Sequence, residues 1–294
     1  MRIGIVAHPN KPLALGLARR ARARFEGKAD VVLAPECHDA VDPHAAVEPI
    51  ESMRADALVA LGGDGTFLMT LQRSSVPLLP VNTGTVGFLA EVEGDHTAEF
   101  DRALDRLLEG RYQLEERMRV ACQVNGKTLP DAINEVVVHT SNVAKMRLFE
   151  IAIDGRAVGR IRADGMIVAT PTGSTSYSLS AMGPIVDPSI EALVVSSLAP
   201  FQSTPRAVVV DPLRTVGIRL VLPGKGGVVV VDGQAEEPVE PGGMVTCYRS
   251  PRKAVFIRFE RRYFERLQGK HILPWPELSD DGGGRGGPDL PPTA

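Results

Sequence analysis

The chain has 294 residues, 44% hydrophobic and 23% charged, with a formal net charge of -3. That balance leaves no electrostatic footprint for nucleic acid or an anionic membrane, and 5% aromatic residues are too few for a base-stacking surface. The length exceeds one average domain and points to two.

From the N-terminus, Ile3 to Ala7 is a short apolar run that reads as a buried parallel strand rather than a signal peptide. The polar loop from His8 to Pro12 follows at the strand's C-terminal end, the edge on which open parallel sheets form ligand crevices. Leu13 to Phe25 has apolar residues at helical spacing beside an Arg-rich, solvated face, and Val31 to Leu33 is a second strand. Ala57 to Leu61 is another buried strand, ending in Gly62-Gly63-Asp64-Gly65. Glycines let the backbone come close to a ligand, and Thr66 is expected to cap a helix over Phe67 to Arg73 whose free N–H groups would receive an anion. Gly62, Gly63, Gly65 and Thr66 are therefore candidate phosphate contacts, and Asp64 brings a carboxylate to the same place. Taken alone, the stretch is equally a structural strand-to-helix turn. Val76 to Val81 is the next strand, and the turn from Asn82 to Phe88 after it would lie beside the first on one sheet edge. Strands alternating with helices predict a doubly wound α/β domain over residues 1–110.

Beyond Leu107 the segments are β-rich and separated by turn residues, with hairpin signals at Asn125-Gly126 and Asp154-Gly155. This predicts an all-β sandwich domain over 111–255, a segment 256–278 returning to the N-terminal domain, and a disordered Gly/Pro tail over 279–294. Cys37, Cys122 and Cys247 lack metal or disulfide spacing and are expected as reduced, buried thiols. With no apolar run long enough for a membrane span, the cytoplasm is the expected compartment.

Three further stretches could carry chemistry. After a predicted strand, Thr170 to Ser180 holds a cluster of hydroxyls and Tyr177, donors suited to ribose and purine edges, although such loops are commonly only solvated connectors. Asn134 and Glu135 begin an apolar strand, so one of them needs a buried partner, either backbone or a ligand hydroxyl. Asp232-Gly233-Gln234 is either a plain hairpin turn or the source of a further ligand-binding amide. Gly126-Lys127-Thr128 imitates the end of a P-loop but lies between strands, and neither a dinucleotide Gly-x-Gly-x-x-Gly nor a Gly-x-Ser-x-Gly elbow is present.

Gly62-Gly-Asp-Gly-Thr66, Asn134-Glu135, Asp164-Gly165, Thr170 to Ser180 and Asp232-Gly-Gln234, in this order, resemble the NAD kinase family over residues 1 to about 270. The resemblance implies a bacterial-type homodimer or homotetramer that uses ATP, or polyphosphate in some members, with Mg²⁺ or another divalent metal held mainly by the donor phosphates, to phosphorylate the 2′-hydroxyl of the adenosine ribose of NAD. It further implies Asp64 as proton acceptor, Gly65 beside the nucleotide, Phe88 on the adenine, and Asn134 and Glu135 on adenosine. Thr175, Ser176, Tyr177, Ser178, Leu179 and Ser180 would line the dinucleotide pocket and Gln234 complete it. Lys145, Arg162 and Asp164 would reach the nicotinamide half, from a neighbouring subunit if the family arrangement holds. Where the family commonly has His-Ser/Thr-Leu, this chain has Phe201-Gln-Ser-Thr-Pro205, and no P-loop lysine is present to neutralise phosphate. The rival expectations are a lipid or sugar kinase sharing the glycine motif, and a non-catalytic NAD-sensing module.

Overall fold

The computed structural model describes residues 1–84, 87–142, 145–201, 206–260 and 263–269. The predicted tail over 279–294 and the stretch from Gln202 to Pro205 lie outside them. The chain divides into Met1–Phe259 and Glu260–Ala294; the described part of the latter is Glu260 and one helix, Tyr263–Gly269.

The first half runs β1 (Arg2–Ala7), α1 (Pro12–Phe25), β2 (Asp30–Leu33), α2 (His38–Val41), β3 (Ala46–Val47), β4 (Ala57–Gly62), α3 (Asp64–Arg73), β5 (Leu78–Asn82), β6 (Val92–Glu93) and α4 (Thr97–Leu108). All six strands are parallel, and five of them lie in the order β5-β4-β1-β2-β3, with β6 on β5. Strand β4 is buried along its whole length, which its unbroken apolar sequence requires. Helix α1 starts on Pro12, whose missing N–H costs nothing at that position, and buries Ala14, Leu17, Ala18, Ala21 and Phe25 at helical spacing. Each fully buried Leu or Phe of this core contributes roughly 1.5–3 kcal/mol.

The second half comprises β7 (Gln113–Val124), β8 (Lys127–Thr128), β9 (Glu135–Thr140), β10 (Arg147–Ile153), β11 (Arg156–Ala163), β12 (Gly165–Ala169), α5 (Tyr177–Ser180), β13 (Leu193–Leu198), β14 (Val208–Val210), β15 (Val216–Leu220), β16 (Gly227–Val231), β17 (Ala235–Val239) and β18 (Met244–Arg258). Six of these form an antiparallel sheet, β14-β13-β12-β9-β16-β17. It packs on β7, β10, β15 and β18 through alternate residues, among them Val136, Val138, Val168, Val229, Phe149, Ile218 and Val245. The result is the expected sandwich beside the expected α/β domain.

One strand belongs to both halves. β18 pairs antiparallel with β7 and β15 and meets β5 in parallel at Phe256 and Leu78, so the α/β sheet and one sandwich sheet form a single twelve-stranded surface. The C-terminal edge of β4 is thereby held beside the sandwich.

Candidate active site

Helix α3 begins at Asp64, with Gly63 as its extended N-cap (φ -118°, ψ -174°) and no side-chain cap. The expected capping by Thr66 is therefore corrected. Thr66 lies within the first turn and folds back on Gly62, where a Cβ would come within 2.2 Å of its Oγ1. Asp64 is half-buried, and Gly65 is exposed at the mouth of the turn.

The turn after β5 holds the Asp64 carboxylate. Phe88 N donates to Oδ2 at 2.9 Å and Leu89 N to Oδ1 at 3.4 Å. A Cβ on Gly87 would stand 2.0 Å from Oδ1, so only glycine admits this approach. A carboxylate has about four acceptor sites, and two remain for a ligand. The two turns are joined by Thr83 N donating to Gly62 O at 2.7 Å, and Asn82 shapes the second through bonds from its Nδ2 to Glu93 (2.6 Å) and from Gly84 N to its Oδ1 (3.1 Å).

The hairpin turn at Asp232-Gly233, with φ of 49° and 67°, brings the sandwich to this place. Asp232 accepts from the backbone N–H of Ile133 (2.8 Å), Asn134 (2.9 Å) and Glu135 (3.0 Å) and from Gln72 Nε2 of α3 (3.0 Å). Two residues on, Gln234 Nε2 donates to Gly65 O at 2.8 Å. Glu135 is buried, and Ser176 Oγ donates to its Oε1 at 3.1 Å; Asn134 Nδ2 lies 3.5 Å from the same Oγ. Burial, with the nearby Asp232 charge, pushes the Glu135 carboxyl up to about 8, against the Ser176 bond. Burial likewise raises Asp232, opposed by its backbone donors.

The hydroxyl-rich loop continues this wall. Thr170 Oγ1 donates to Ile133 O at 2.6 Å, and Gly173 packs where a Cβ would be 2.0 Å from Asn134 O. Within it, Thr175 Oγ1 is turned back on Thr172 O (3.2 Å) and the buried Ser178 Oγ meets Ser196 Oγ (3.3 Å), so these two support the loop. Tyr177 is 43% exposed, Leu179 half-buried and Ser180 exposed.

Lys145, Arg162 and Asp164 are elsewhere. Thr140 N donates to Asp164 O (2.9 Å) and Thr140 Oγ1 to Lys145 O (3.1 Å), while Arg162 pairs with Leu148. All three sit at the end of β9 and β12 opposite to Asn134, Glu135 and Thr170. The five residues of β12 separate the two ends by roughly 17 Å.

A cleft of ≈ 480 Å³ opens over the glycine turn, lined by His8, Asn10, Lys11, Gly63, Gly65 and Thr66 among others. The loop from His8 to Pro12 is expected on the ligand edge from the sequence, in which nothing singles out Lys11. Its importance depends on which strand adjoins β1. Among the described residues no three His, Cys, Asp or Glu side chains converge as a metal site, so the residues present do not form a cage for a resident ion.

Comparison with known proteins agrees with this geometry. Residues 3–112 match the family model for the ATP-NAD kinase N-terminal domain, and residues 133–259 that for the C-terminal domain. The chain is 38% identical to the NAD kinase of Methanothermobacter thermautotrophicus over 280 residues, covering 92% of this chain and 96% of that one. It is 40% identical to that of Thermoplasma volcanium over 223 residues, 76% of this chain and 81% of the relative. Among solved structures, an NAD kinase from Archaeoglobus fulgidus in complex with ATP superposes with a TM-score of 0.74 at 31% identity, covering 92% and 98% of the two chains. Yeast NADH kinase complexed with NADH, at 21% identity, shares the fold with a TM-score of 0.84, covering 96% and 90%. The expected bacterial type is corrected, because these close relatives are archaeal. Matched in order over both halves, and with the motifs of each half meeting on one hydrogen-bonded wall, the chain belongs to the NAD kinase family.

Proposed function

We propose that this chain, as an NAD kinase, moves the γ-phosphoryl group of ATP onto the 2′-hydroxyl of the adenosine ribose of NAD, with Asp64 taking the hydroxyl proton. A bond forms between the 2′-oxygen and the γ-phosphorus, the bond from that phosphorus to the β–γ bridging oxygen breaks, and ADP leaves with its electron pair. The proton passes to Asp64 and then to water. The protein's task is alignment and charge placement. Asp64 is suited to it because two backbone donors fix its carboxylate while lone pairs stay open. The glycine turn and the N-terminus of α3 would receive donor phosphates. Asn134, Glu135 and Ser176 would hold the adenosine, with Phe88 and the exposed Tyr177 flanking bases. A divalent ion would arrive as part of the ATP substrate.

The observation that carries this reading is the bond from Gln234 to Gly65, which ties the phosphate turn to the hairpin that positions Asn134 and Glu135. One dinucleotide can thereby touch both. The same wall supports nucleotide over lipid, since it presents hydroxyls and amides rather than a broad apolar groove.

The test is ATP-dependent NADP formation, run beside calorimetry with NAD. Asp64→Asn should lower turnover by roughly two to four powers of ten while leaving NAD affinity within a few-fold. Near-normal turnover would remove Asp64 from the chemistry. A wild-type chain that binds NAD without forming NADP would favour a sensing module.

Lys145, Arg162 and Asp164 lie too far along β12 to join the same ligand end, so we assign them to the nicotinamide half of a site in a second copy of the chain. A homo-oligomer follows from that assignment.

A further inference from the structure

We propose that Lys11 is a phosphate-binding residue of this kinase, holding the terminal phosphates of the donor over the glycine turn; the inference rests on the NAD kinase reading and adds to it a cation in place of the absent P-loop lysine. Strand order reverses between β1 and β4, so the loops after these two strands part and leave a crevice at their C-terminal ends. His8 N donates to Leu61 O at 2.9 Å, which makes the two loops leave the sheet side by side. Lys11 ends the first loop and Gly63 begins the second.

Local sequence fixes where Lys11 stands. Pro12 drives its predecessor to extended backbone, observed at φ -110° and ψ 110°, and Lys11 N donates to His8 O at 3.3 Å. The ammonium then lies across the cleft. A Cβ on Gly84 would be 2.9 Å from Lys11 Nζ and one on Gly63 3.7 Å from it, so Nζ stands over both glycine turns. Among the described residues no carboxylate pairs with it. Glu36, which also lines the cleft, is engaged by Arg73 at 2.9 Å. Met69 and Thr66 offer no charge. A triphosphate tail brought up to the Asp64 carboxylate requires a cation nearby, and Lys11 is placed to supply one as a mobile point charge.

The loop is held by backbone bonds and Pro12, so Lys11→Met should keep the stem and lose only the charge. In steady-state assays of the full chain it should raise the KM for ATP about tenfold or more, the usual worth of a hydrogen bond to a charged group, with the KM for NAD unchanged. Lys11→Arg should recover most of that loss. Calorimetry with inorganic tripolyphosphate should show a matching fall in affinity for Lys11→Met and a shallower salt dependence. An unchanged KM for ATP and unchanged tripolyphosphate affinity would overturn the proposal, as would a rise confined to the KM for NAD. If the Met variant does not fold, Lys11→Gln carries the same readings, with NAD binding as the check on folding. Failure of the wild-type chain to make NADP would count against the kinase reading alone, because the tripolyphosphate difference would still report on Lys11.

Discussion

The side chain of Glu135 opens strand β9 at 7% exposure, with Oε1 bound by Ser176 and Oε2 without a partner among the described residues. An ionised carboxylate there loses its water and faces Asp232, which is why its proton is held up to about 8. The folded chain therefore binds this proton more tightly than the unfolded chain does. The stability it contributes is fully present below about 4.5, the ordinary value for a glutamate, and is lost as pH rises through about 8. Glu135→Gln, which keeps the shape and cannot ionise, should flatten that decline. Thermal midpoints of the two chains, measured across this window, should diverge with rising pH to the disadvantage of the wild type. Parallel curves would mean that Glu135 is already ionised at neutral pH.

At the scale of elements, helix α3 and the hairpin between β16 and β17 are fastened to each other, and the fastening lies at the ends of α3. Gln234 reaches Gly65 at its start, and Gln72 reaches Asp232 near its finish. The fully buried Arg119 of β7 adds a bond from its Nη2 to Ser74 O, just past the last turn, at 3.1 Å. Burial lowers that guanidinium to about 10. Asp232→Ala would leave two buried backbone N–H groups and one half-buried one unpaired and should cost roughly 3 kcal/mol by urea unfolding, with weakened NAD binding as Asn134 and Glu135 lose their place. A change under about 0.5 kcal/mol would show that water replaces the carboxylate freely. Hairpin turns of this kind are legible in sequence: Asn125-Gly126, Asp154-Gly155 and Asp232-Gly233 all have positive φ. The buried strands β1, β4 and β12 are legible too, because their apolar runs are unbroken. Strand β11 is not, since most of it is exposed and it carries Arg156, Arg160 and Arg162; β17 likewise is a polar edge strand containing Pro238. Of β18 only its end, in the apolar stretch Val255 to Phe259, stands out in sequence, because Ser250-Pro251-Arg252 interrupts the strand before it, whereas the ladder with β7 absorbs the interruption as a register shift between Arg249 and Lys253. The glycine turn could be read from its residues, while the cation over it could not, because Lys11 acquires its neighbours only when β4 pairs beside β1.

On the scale of the whole molecule, the sandwich sheet separates the proposed ligand residues into two groups. Asn134, Glu135 and Ser176 stand with Asp64 at one end of β9 and β12; Lys145, Arg162 and Asp164 stand at the other, five strand residues away. The strands between the two groups are buried and their faces are filled by Val136, Val138, Ile167 and Val168, so no cleft within one chain is seen to join them among the described residues. If both groups serve one substrate, the second must come from another copy of the chain, so each active site is shared. Shared sites can be tested by mixing defects. Asp64→Asn and Asp164→Ala chains should each have low activity alone, yet a mixture unfolded and refolded together should recover about a quarter of wild-type activity. Half of randomly paired dimers would be mixed, and each mixed dimer would hold one intact site and one doubly damaged site. Activity that never exceeds the sum of the separate variants, in a sample whose mass by light scattering is that of an oligomer, would place all functional residues of each site in a single chain and remove Asp164 from the ligand's surroundings.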